Sequence, residues 1–338
     1  MKALVYTASR RLEIQELPIP AIKDDEVLVR IRAVGVCGSD VHGFLGKSKK
    51  RVPPLVLGHE FAGQVAATGS SVVAFKAGDS VAVYPLIACG HCRYCKAGRE
   101  NICPERKVYG LDFHGGLAEY VAAPQHLLFP LPAGMSFLEG SLVEPLANTV
   151  HVMERCQGVA DQVGLILGAG PIGLFCFWTA RQFGASKLAI VDLNSYRLSV
   201  AESLGADLTI HGKKQDVLST ILDWTNGQGV DFCIDAVGNP ICRQNSIACT
   251  ATGGTVVWIG TEEDYSPVDA RSVITREIQI RGTYSYSKTN FAHAMSMLAQ
   301  KQLPYQSLTF EAGLDDGQKV FEELSSGSSS IMKAIFVL

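Results

Sequence analysis

The sequence lacks several features that would set it apart from ordinary globular enzymes. Its longest apolar stretch, over residues 163–177, is broken by glycines and by Pro171, and it is shorter than the roughly 20 residues of a membrane-spanning helix. The first residues alternate apolar and polar side chains without a signal-peptide pattern, which predicts a cytoplasmic protein. The formal net charge is −3 and no basic stripe is present. We therefore expect neither a membrane nor a nucleic acid as a partner.

Cysteine is plentiful, and its distribution indicates metal binding. Four of the ten cysteines follow the spacing C-x2-C-x2-C-x7-C, which lets one loop wrap four thiolates around a tetrahedral zinc. These four are Cys89, Cys92, Cys95 and Cys103. Four protein ligands leave no open position, so the pattern predicts a structural zinc, with an iron–sulfur cluster as the alternative. Five further cysteines between residues 156 and 249 lie in apolar segments, and we interpret them as buried core residues.

The pattern of apolar residues changes between residues 145 and 160 and predicts two domains. Residues 1–145 contain short alternating runs separated by Gly, Pro and Asp, which is typical of a mainly β domain. In residues 146–282, apolar strand-like runs alternate with helical segments, which predicts a doubly wound parallel sheet. Amphipathic stretches over 291–300 and 315–327 and a β-type segment at 331–338 follow, and their spacing leaves their packing partners open. The fold class is therefore α/β.

A dinucleotide site is predicted at the start of the second domain. The segment GAGPIG follows an apolar strand and begins a helix, so its glycines would allow a tight turn, admit a pyrophosphate and let the helix pack closely. The next strand ends in an aspartate, which would bind the adenosine ribose hydroxyls and repel a 2′-phosphate, favouring NAD over NADP. An arginine five residues later fits either the adenine face or an exposed helix position. The predicted residues are Gly168, Gly170, Pro171, Ile172, Gly173, Asp192 and Arg197.

Three separate segments contain residues suited to a second metal. Cys37, His59, Glu60 and Glu144 supply sulfur, nitrogen and oxygen ligands of the kind that a catalytic zinc with an open position requires. Each residue also fits an ordinary structural role, such as a buried cysteine, a polar core histidine or a capping carboxylate. Their spacing alone leaves open whether they form one site.

Taken together, the motifs resemble those of the zinc-containing medium-chain dehydrogenase/reductase family, the alcohol dehydrogenase superfamily. GHE at 58–60, the four-cysteine segment, EPL at 144–146 and GAGPIG at 168–173 occur in the family's order, and the resemblance runs essentially end to end. It is strongest to the polyol, threonine and galactitol-1-phosphate dehydrogenase branch, which has glutamate in EPL where animal and plant alcohol dehydrogenases have a zinc-binding cysteine. The resemblance implies a GroES-like catalytic domain at 1–145, completed by 283–338, and an NAD-binding Rossmann domain at 146–282.

The resemblance also implies roles for individual residues. Cys37 and His59 would hold a catalytic zinc with Glu60 and Glu144 as carboxylate partners, although which glutamate binds directly stays open. Ser39 and His42 match the positions from which related enzymes pass a proton to the surface. The implied catalytic residues are thus Cys37, Ser39, His42, His59, Glu60 and Glu144. The resemblance further implies that each chain binds two zinc ions and NAD. It also implies that the chains assemble into a homodimer or homotetramer.

The implied reaction moves a hydride between a secondary alcohol and NAD and gives the ketone. Polyols, sugar alcohols and their phosphates are the expected substrates. Ser285 stands where sorbitol-type enzymes carry an arginine, which argues against sorbitol itself. The basic stretch at 47–51 fits either attraction of an anionic substrate or a solvated loop. Alternatives are a threonine-type or other secondary alcohol dehydrogenase, a zinc-free NADPH quinone or enone reductase, and a non-catalytic nucleotide-binding protein.

Overall fold

A computed structural model describes residues 1–300, 303–326 and 330–338 and divides the chain into two compact units. The first unit comprises Met1–Ala147 and Tyr286–Leu338, and the second comprises Asn148–Ser285. Within the described residues, no helix combines the length and the apolar character needed to cross a bilayer.

The elements alternate along the chain in the way the apolar pattern predicts. The first unit begins with β1 (Lys2–Ala8), β2 (Arg11–Glu16), β3 (Glu26–Gly35), α1 (Gly38–Phe44), β4 (Leu55–Val56), β5 (Glu60–Thr68), β6 (Ser80–Val83), β7 (Leu86–Ile87), α2 (Arg93–Lys96), β8 (Lys107–Val108), β9 (Tyr120–Pro124), β10 (Leu128–Pro130) and α3 (Phe137–Cys156), which continues into the second unit. The second unit contains β11 (Val163–Leu167), α4 (Pro171–Gln182), β12 (Lys187–Asp192), α5 (Ser195–Ser203), β13 (Leu208–His211), α6 (Val217–Trp224), β14 (Val230–Asp235), α7 (Pro240–Ala248), β15 (Thr250–Trp258), α8 (Ala270–Thr275) and β16 (Gln279–Gly282). The first unit resumes with α9 (Lys288–Ala299), β17 (Thr309–Ala312), α10 (Gly317–Ser325) and β18 (Lys333–Val337), and short 3₁₀ helices lie at Glu100–Ile102, Gln125–Leu127, Tyr305–Ser307 and Leu314–Asp316.

The main sheet of the first unit has the order β10-β6-β5-β3-β18-β17. Strand β9 pairs with residues 26–30 of β3, whereas β18 pairs with residues 33–35. In β3, Val27, Val29 and Ile31 are buried while Arg30 is exposed, as the alternating pattern predicts for a strand with one face on the core. The C-terminal segment, whose packing the sequence left open, forms β18 between β3 and β17. Of the amphipathic stretch predicted at 315–327, the structure shows α10, and Gly327 lies outside the described residues.

The second unit contains a parallel sheet in the order β13-β12-β11-β14-β15-β16. The prediction of a doubly wound α/β arrangement is confirmed. In such a sheet the strand order reverses between the first strand and the fourth, here β11 and β14, and ligands bind at the carboxyl ends of the strands beside that point. This topology locates the candidate dinucleotide crevice at the ends of β11 and β14.

Four aromatic rings hold α9 against the main sheet of the first unit. Phe291 on α9 is 1% exposed, and its ring centroid lies 4.9 Å from that of Phe129 and 5.6 Å from that of Tyr84. Tyr286 stacks on the same group, 6.1 Å from Phe291, and Tyr84 meets it edge to face. The cluster therefore connects the returning chain at residue 286 to strand β10 and to the segment that follows β6.

We expect Phe291→Ala to lower the free energy of unfolding by about 3–5 kcal/mol, because it removes a fully buried ring and leaves a cavity. Phe310→Ala, on a ring of β17 that is 44% exposed, should cost less than about 1 kcal/mol. Urea unfolding followed by fluorescence measures both changes. Equal losses in the two variants would show that the cluster makes no special contribution.

Candidate metal centres and dinucleotide site

Cys37, His59 and Glu60 are brought together where two strands of the main sheet meet. Strand β3 ends at Gly35, which pairs with Glu60 at the beginning of β5. Cys37 caps the N-terminus of α1 just beyond β3, and His59 immediately precedes β5. As a result, the sulfur, a ring nitrogen and a carboxylate oxygen of the three residues all lie within 4.8 Å of one another. The sulfur, nitrogen and oxygen ligands of this cluster suit a zinc ion with an open position.

Behind this cluster, Asp40 faces His59. Oδ1 of Asp40 lies 3.4 Å from Nδ1 of His59, and the carboxylate is fully buried. Nδ1 of His59 has no partner within hydrogen-bonding geometry among the described residues, so a small rotation would let it donate to Asp40. Metal-binding histidines characteristically donate their second ring nitrogen to a carboxylate, which leaves the other nitrogen as the ligand. The surroundings of His59 therefore fit the role of a metal ligand.

Arg51 anchors Asp40 from the opposite side. Its Nη2 lies 3.1 Å from Oδ1 of Asp40 and donates to Oγ of Ser39 at 3.0 Å, while Nε donates to the carbonyl of Gly110. Burial alone would raise the pKa of Asp40, but His59 and Arg51 hold it below its usual range. Arg51 is 8% exposed, so neither alternative considered for the basic stretch at 47–51, a solvated loop or attraction of an anionic substrate, applies to this residue. Three lysines of that stretch, at 47, 49 and 50, are exposed.

Glu60 forms a buried ion pair with Lys333, the first residue of β18. Glu60 is 1% and Lys333 is 3% exposed, and Nζ of Lys333 also donates to the carbonyl of Val36 at 2.9 Å. Room for this pair comes from Gly35, where an added Cβ would lie 2.1 Å from Oε2 of Glu60. Burial would lower the pKa of Lys333, but the carboxylate of Glu60 raises it, so the ammonium stays charged. The pattern of the sequence does not single out Lys333 as a site residue.

Glu144 approaches the same region from helix α3, and it is 7% exposed. It is not among the three residues whose ligand atoms cluster within 4.8 Å. Burial raises the pKa of Glu144 to about 7, against the opposing effect of His59, and the charge of Glu60 raises it further. The hydroxyl of Tyr286 hydrogen-bonds to this carboxyl. Glu144 therefore stands next to the cluster as a second carboxyl group that changes charge near neutral pH.

The remaining predicted catalytic residues lie on α1. Ser39 is exposed, and its hydroxyl accepts the hydrogen bond from Arg51. His42 is exposed in the last turn of the helix. The two residues are therefore on the same short helix as the cap residue Cys37, with His42 open to solvent.

The four cysteines of the predicted structural site converge in a lobe at 89–103. Their four sulfur atoms lie within 4.8 Å of one another, and two measured separations are 3.9 Å for Cys89 and Cys95 and 3.5 Å for Cys92 and Cys95. Sulfurs placed 2.3 Å from a tetrahedral ion stand about 3.8 Å apart, so the cluster fits a zinc ion. Backbone amides of Cys95 and Tyr94 lower the pKa of Cys92 to about 7, which favours the thiolate that a metal needs.

This lobe is connected to the rest of the first unit through Glu100. Oε1 of Glu100 accepts a hydrogen bond from the backbone N–H of Lys288 at 2.6 Å, at the beginning of α9. Nζ of Lys288 donates to the carbonyl of His126. Two residues earlier in the chain, Tyr286 contacts Glu144. The cysteine lobe thus helps to fix the segment that carries Tyr286, the hydrogen-bond partner of Glu144.

The glycine loop of the second unit has the geometry that a pyrophosphate requires. Gly168 adopts φ 96°, which ordinary side chains rarely allow, and a Cβ on Gly173 would lie 1.7 Å from the carbonyl oxygen of Gly168. Gly170 caps α4, with Pro171 at the first helical position. A Cβ on Gly170 would have only Nη1 of Arg197 within 4 Å. The protein therefore leaves space above Gly170 at a helix N-terminus, where anions bind.

Asp192 lies at the carboxyl end of β12 and contacts this loop. Its Oδ2 accepts a hydrogen bond from the N–H of Ala169 at 2.7 Å, and Oδ1 accepts one from Asn194. Asn194, not Asp192, caps helix α5. Arg197 on that helix places Nη1 4.0 Å from Oδ2 of Asp192, and its side chain is 31% exposed. Both side chains thus adjoin the loop, and the carboxylate retains lone pairs for ribose hydroxyls.

Comparisons with known proteins identify the family to which the chain is related. Residues 23–133 match the family model of the alcohol dehydrogenase GroES-like domain, and residues 171–300 match that of the zinc-binding dehydrogenases. Sorbitol dehydrogenase of Bacillus subtilis is 37% identical, over 86% of this chain and 83% of the relative. L-threonine 3-dehydrogenase of Bacillus velezensis is 34% identical, over 97% and 96%.

This chain belongs to the zinc-type alcohol dehydrogenase family. Galactitol-1-phosphate dehydrogenase from Escherichia coli has the same fold, with a TM-score of 0.94 over the whole of both chains and 25% identity. The resemblance inferred from the motifs is confirmed, as is the α/β fold with a GroES-like and a Rossmann-type part. This zinc-type alcohol dehydrogenase is an oxidoreductase, and zinc and NAD(H) are the cofactors expected of it.

Two substitutions in the glycine loop should affect different properties, one the stability of the fold and the other the binding of NADH. Gly173→Ala should lower the free energy of unfolding, because its Cβ meets the backbone of Gly168. Gly170→Ala should leave stability nearly unchanged and weaken NADH binding by about tenfold or more, since its methyl group fills the space that receives the pyrophosphate. Thermal unfolding and titration calorimetry with NADH test both variants. Unchanged NADH affinity in Gly170→Ala would contradict the assignment of the loop.

Proposed function

We propose that this zinc-type alcohol dehydrogenase oxidises a secondary hydroxyl group of a polyol or polyol phosphate to a ketone, with NAD as hydride acceptor. The observation that carries the proposal is the buried cluster of Cys37, His59 and Glu60, with Asp40 behind the histidine. In this proposal, the first unit is the catalytic domain and the second is the NAD-binding domain. The boundaries of the two units lie close to the domain boundaries expected from the sequence.

In this proposal, Cys37, His59 and a carboxylate hold the catalytic zinc. Glu60 is the nearer carboxylate and Glu144 the adjacent one, so Glu60 would bind the ion directly and Glu144 would stand beside it as the second carboxyl group. When bound, the zinc would supply Lewis acidity that lowers the pKa of the substrate hydroxyl. Asp40 orients His59, and Lys333 restrains Glu60 through its buried ion pair.

The substrate proton would leave through residues of α1. The hydroxyl of Ser39 both accepts and donates hydrogen bonds, so it can pass a proton onward. His42, exposed in the last turn of the same helix, would release the proton to water. Arg51 holds the Ser39 hydroxyl in place at 3.0 Å and thereby orients the first member of this relay.

We further propose NAD as the cofactor in preference to NADP. Support comes from Asp192, whose carboxylate lies at the glycine loop and would face a 2′-phosphate with like charge. Arg197 adjoins the same carboxylate, at 4.0 Å, and would border the adenosine. Its charge is partly offset by Asp192.

The class of substrate rests on relatives and on two local features. The similar proteins include a sorbitol and a galactitol-1-phosphate dehydrogenase, which act on polyols with or without a phosphate. Ser285 replaces the arginine of sorbitol-type enzymes, so we expect a polyol other than sorbitol. The exposed lysines at 47, 49 and 50 would favour an anionic substrate, without help from the buried Arg51. L-threonine is the second candidate, supported by the relative that covers 97% of the chain.

Location and assembly complete the proposal. A reducing cytoplasm would keep the four thiols of the cysteine lobe available for zinc. Relatives of this family lead us to propose a homodimer or homotetramer. Light scattering and gel filtration of the purified protein would determine the oligomeric state.

Initial rates with NAD and NADP against polyols, polyol phosphates, L-threonine and primary alcohols test the substrate and the cofactor together. We expect a ketone product and a preference for NAD of about 100-fold or more, because opposing a 2′-phosphate to a carboxylate costs several kcal/mol.

His59→Ala should lower kcat/KM by about 10³-fold, as the loss of several kcal/mol of transition-state stabilisation requires. His151→Ala, a histidine paired with Glu154 on α3, is the control and should keep full activity. Oxidation of primary alcohols alone would contradict the proposal.

Metal analysis provides an independent test of the two zinc sites. The wild-type protein should contain two zinc ions per chain, because each of two separate clusters fits one ion. Cys95→Ser should reduce this content to one and lower the melting temperature, since a structural zinc contributes directly to folding. Cys176→Ser, a buried cysteine outside both clusters, should retain both ions. Loss of zinc from Cys176→Ser, or two ions in Cys95→Ser, would refute the assignment.

A further inference from the structure

Three loops at the carboxyl ends of β11, β14 and β15 are packed directly against one another in the second unit. Val237 lies close to Gly168: a Cβ added to Gly168 would stand 2.6 Å from Cγ2 of Val237. The backbones of Gly238 and Gly260 are in contact, and a Cβ on either glycine would lie within 2.4 Å of the other loop. The glycine loop, the loop after β14 and the loop after β15 therefore form one continuous surface.

Asp235, the last residue of β14, organises the second of these loops. Its side chain is fully buried, and Oδ1 accepts hydrogen bonds from the N–H groups of Val237 at 2.9 Å and Gly238 at 2.8 Å. Its backbone carbonyl accepts the N–H groups of Ile259 and Gly260. One residue thus fixes both loops.

Arg243 neutralises this buried carboxylate and reaches the third loop. From α7, its Nη1 lies 2.8 Å from Oδ2 of Asp235, and Nη2 donates to the carbonyl of Gly260 at 2.6 Å. The guanidinium lies 4.4 Å from the ring centroid of Trp258, whose Nε1 in turn donates to Ser246 on α7. Arg243 is 8% exposed. Its charge, its hydrogen bond and its stacking all connect the loop after β14 to the loop after β15.

The topology places this network under one particular half of the dinucleotide. Asp192, at the end of β12, marks the adenosine side, and the glycine loop at the end of β11 receives the pyrophosphate. The sheet continues from β11 to β14 and β15, so the other half of the dinucleotide extends over the ends of those two strands. That half carries the nicotinamide.

We infer that Arg243 is a positioning residue for the nicotinamide half of the cofactor: by joining Asp235 to Gly260, it fixes the two loops against which that half binds. The inference rests on the proposed NAD-dependent function. Arg243 itself lies beneath the loops and acts through them. The adenosine half is bound by a different part of the sheet and should not depend on it.

Comparison of two ligands tests this inference. NADH contains both halves of the cofactor, whereas ADP-ribose lacks the nicotinamide. Arg243→Met removes the charge and the hydrogen bond while keeping an unbranched side chain of similar length. Titration calorimetry should show the Kd of NADH raised about tenfold, as expected for the loss of a hydrogen bond from a charged group, and the Kd of ADP-ribose changed less than about twofold.

Arg276→Met is the matched control. Arg276 also bonds to carbonyl groups of α7 and β15, those of Ile247 and Thr250, but it does so at the amino end of the strand. This variant should bind both ligands as the wild type does. If it weakens NADH as much as Arg243→Met, the effect is general destabilisation and the inference is wrong.

The conservative variant Arg243→Lys keeps the test decisive if Arg243→Met does not fold. Lysine retains the charge opposite Asp235 but cannot reach Gly260 with a second nitrogen, so the Kd of NADH should rise by a smaller factor and that of ADP-ribose should stay unchanged. If the folded variants bind both ligands more weakly by the same factor, or bind NADH as the wild type does, the role of Arg243 is wrong. The proposed function would not be affected by that outcome. Failure of the wild type to bind either ligand would instead overturn the proposed function, and this inference with it.

Discussion

Two buried ion pairs impose the main constraint on the first unit. Asp40 with Arg51 and Glu60 with Lys333 flank the pair Cys37 and His59, and the four charged residues are at most 8% exposed. A buried charge is tolerated only when it is paired, and removal of one partner costs about 3–5 kcal/mol. The arrangement of Cys37, His59 and Glu60 therefore cannot vary independently of the fold. Each ion pair also fixes one candidate ligand, since Asp40 faces His59 and Lys333 contacts Glu60.

The same unit connects its two candidate metal centres through ordinary packing. Glu100 in the cysteine lobe accepts the N–H of Lys288, and Tyr286 hydrogen-bonds to Glu144. Tyr84 donates to the carbonyl of Tyr286 and meets Phe291 edge to face. The cysteine lobe can thus influence the cluster of Cys37, His59 and Glu60, because the surroundings of both depend on the position of residues 286–291.

Sequence predicted those parts of the site that are local in the chain. The cysteine lobe and the glycine loop each lie within a short segment, so spacing alone brings their members together. Lys333 gave only a weak signal, a single cation in an apolar β-type segment, and nothing in the spacing identifies Glu60 as its partner. The burial of Arg51 could not be predicted, because charge composition does not show which cations of a basic stretch are buried. Arg243 lies within a helix, and its contacts with the loops after β14 and β15 follow from the parallel register of these two strands. The sequence pattern does not show that register.

The position of β18 has a consequence for how the protein matures on the ribosome. Because domains fold as synthesis proceeds, the four cysteines of the lobe can come together once residue 103 has emerged. Strand β18, which enters the sheet between β3 and β17 and brings Lys333 to Glu60, emerges more than two hundred residues later. Until then the carboxylate of Glu60 lacks the ammonium of Lys333, and residues 33–35 of β3 lack their partner strand. The surroundings of Cys37, His59 and Glu60 are therefore completed only after β18 has been synthesised.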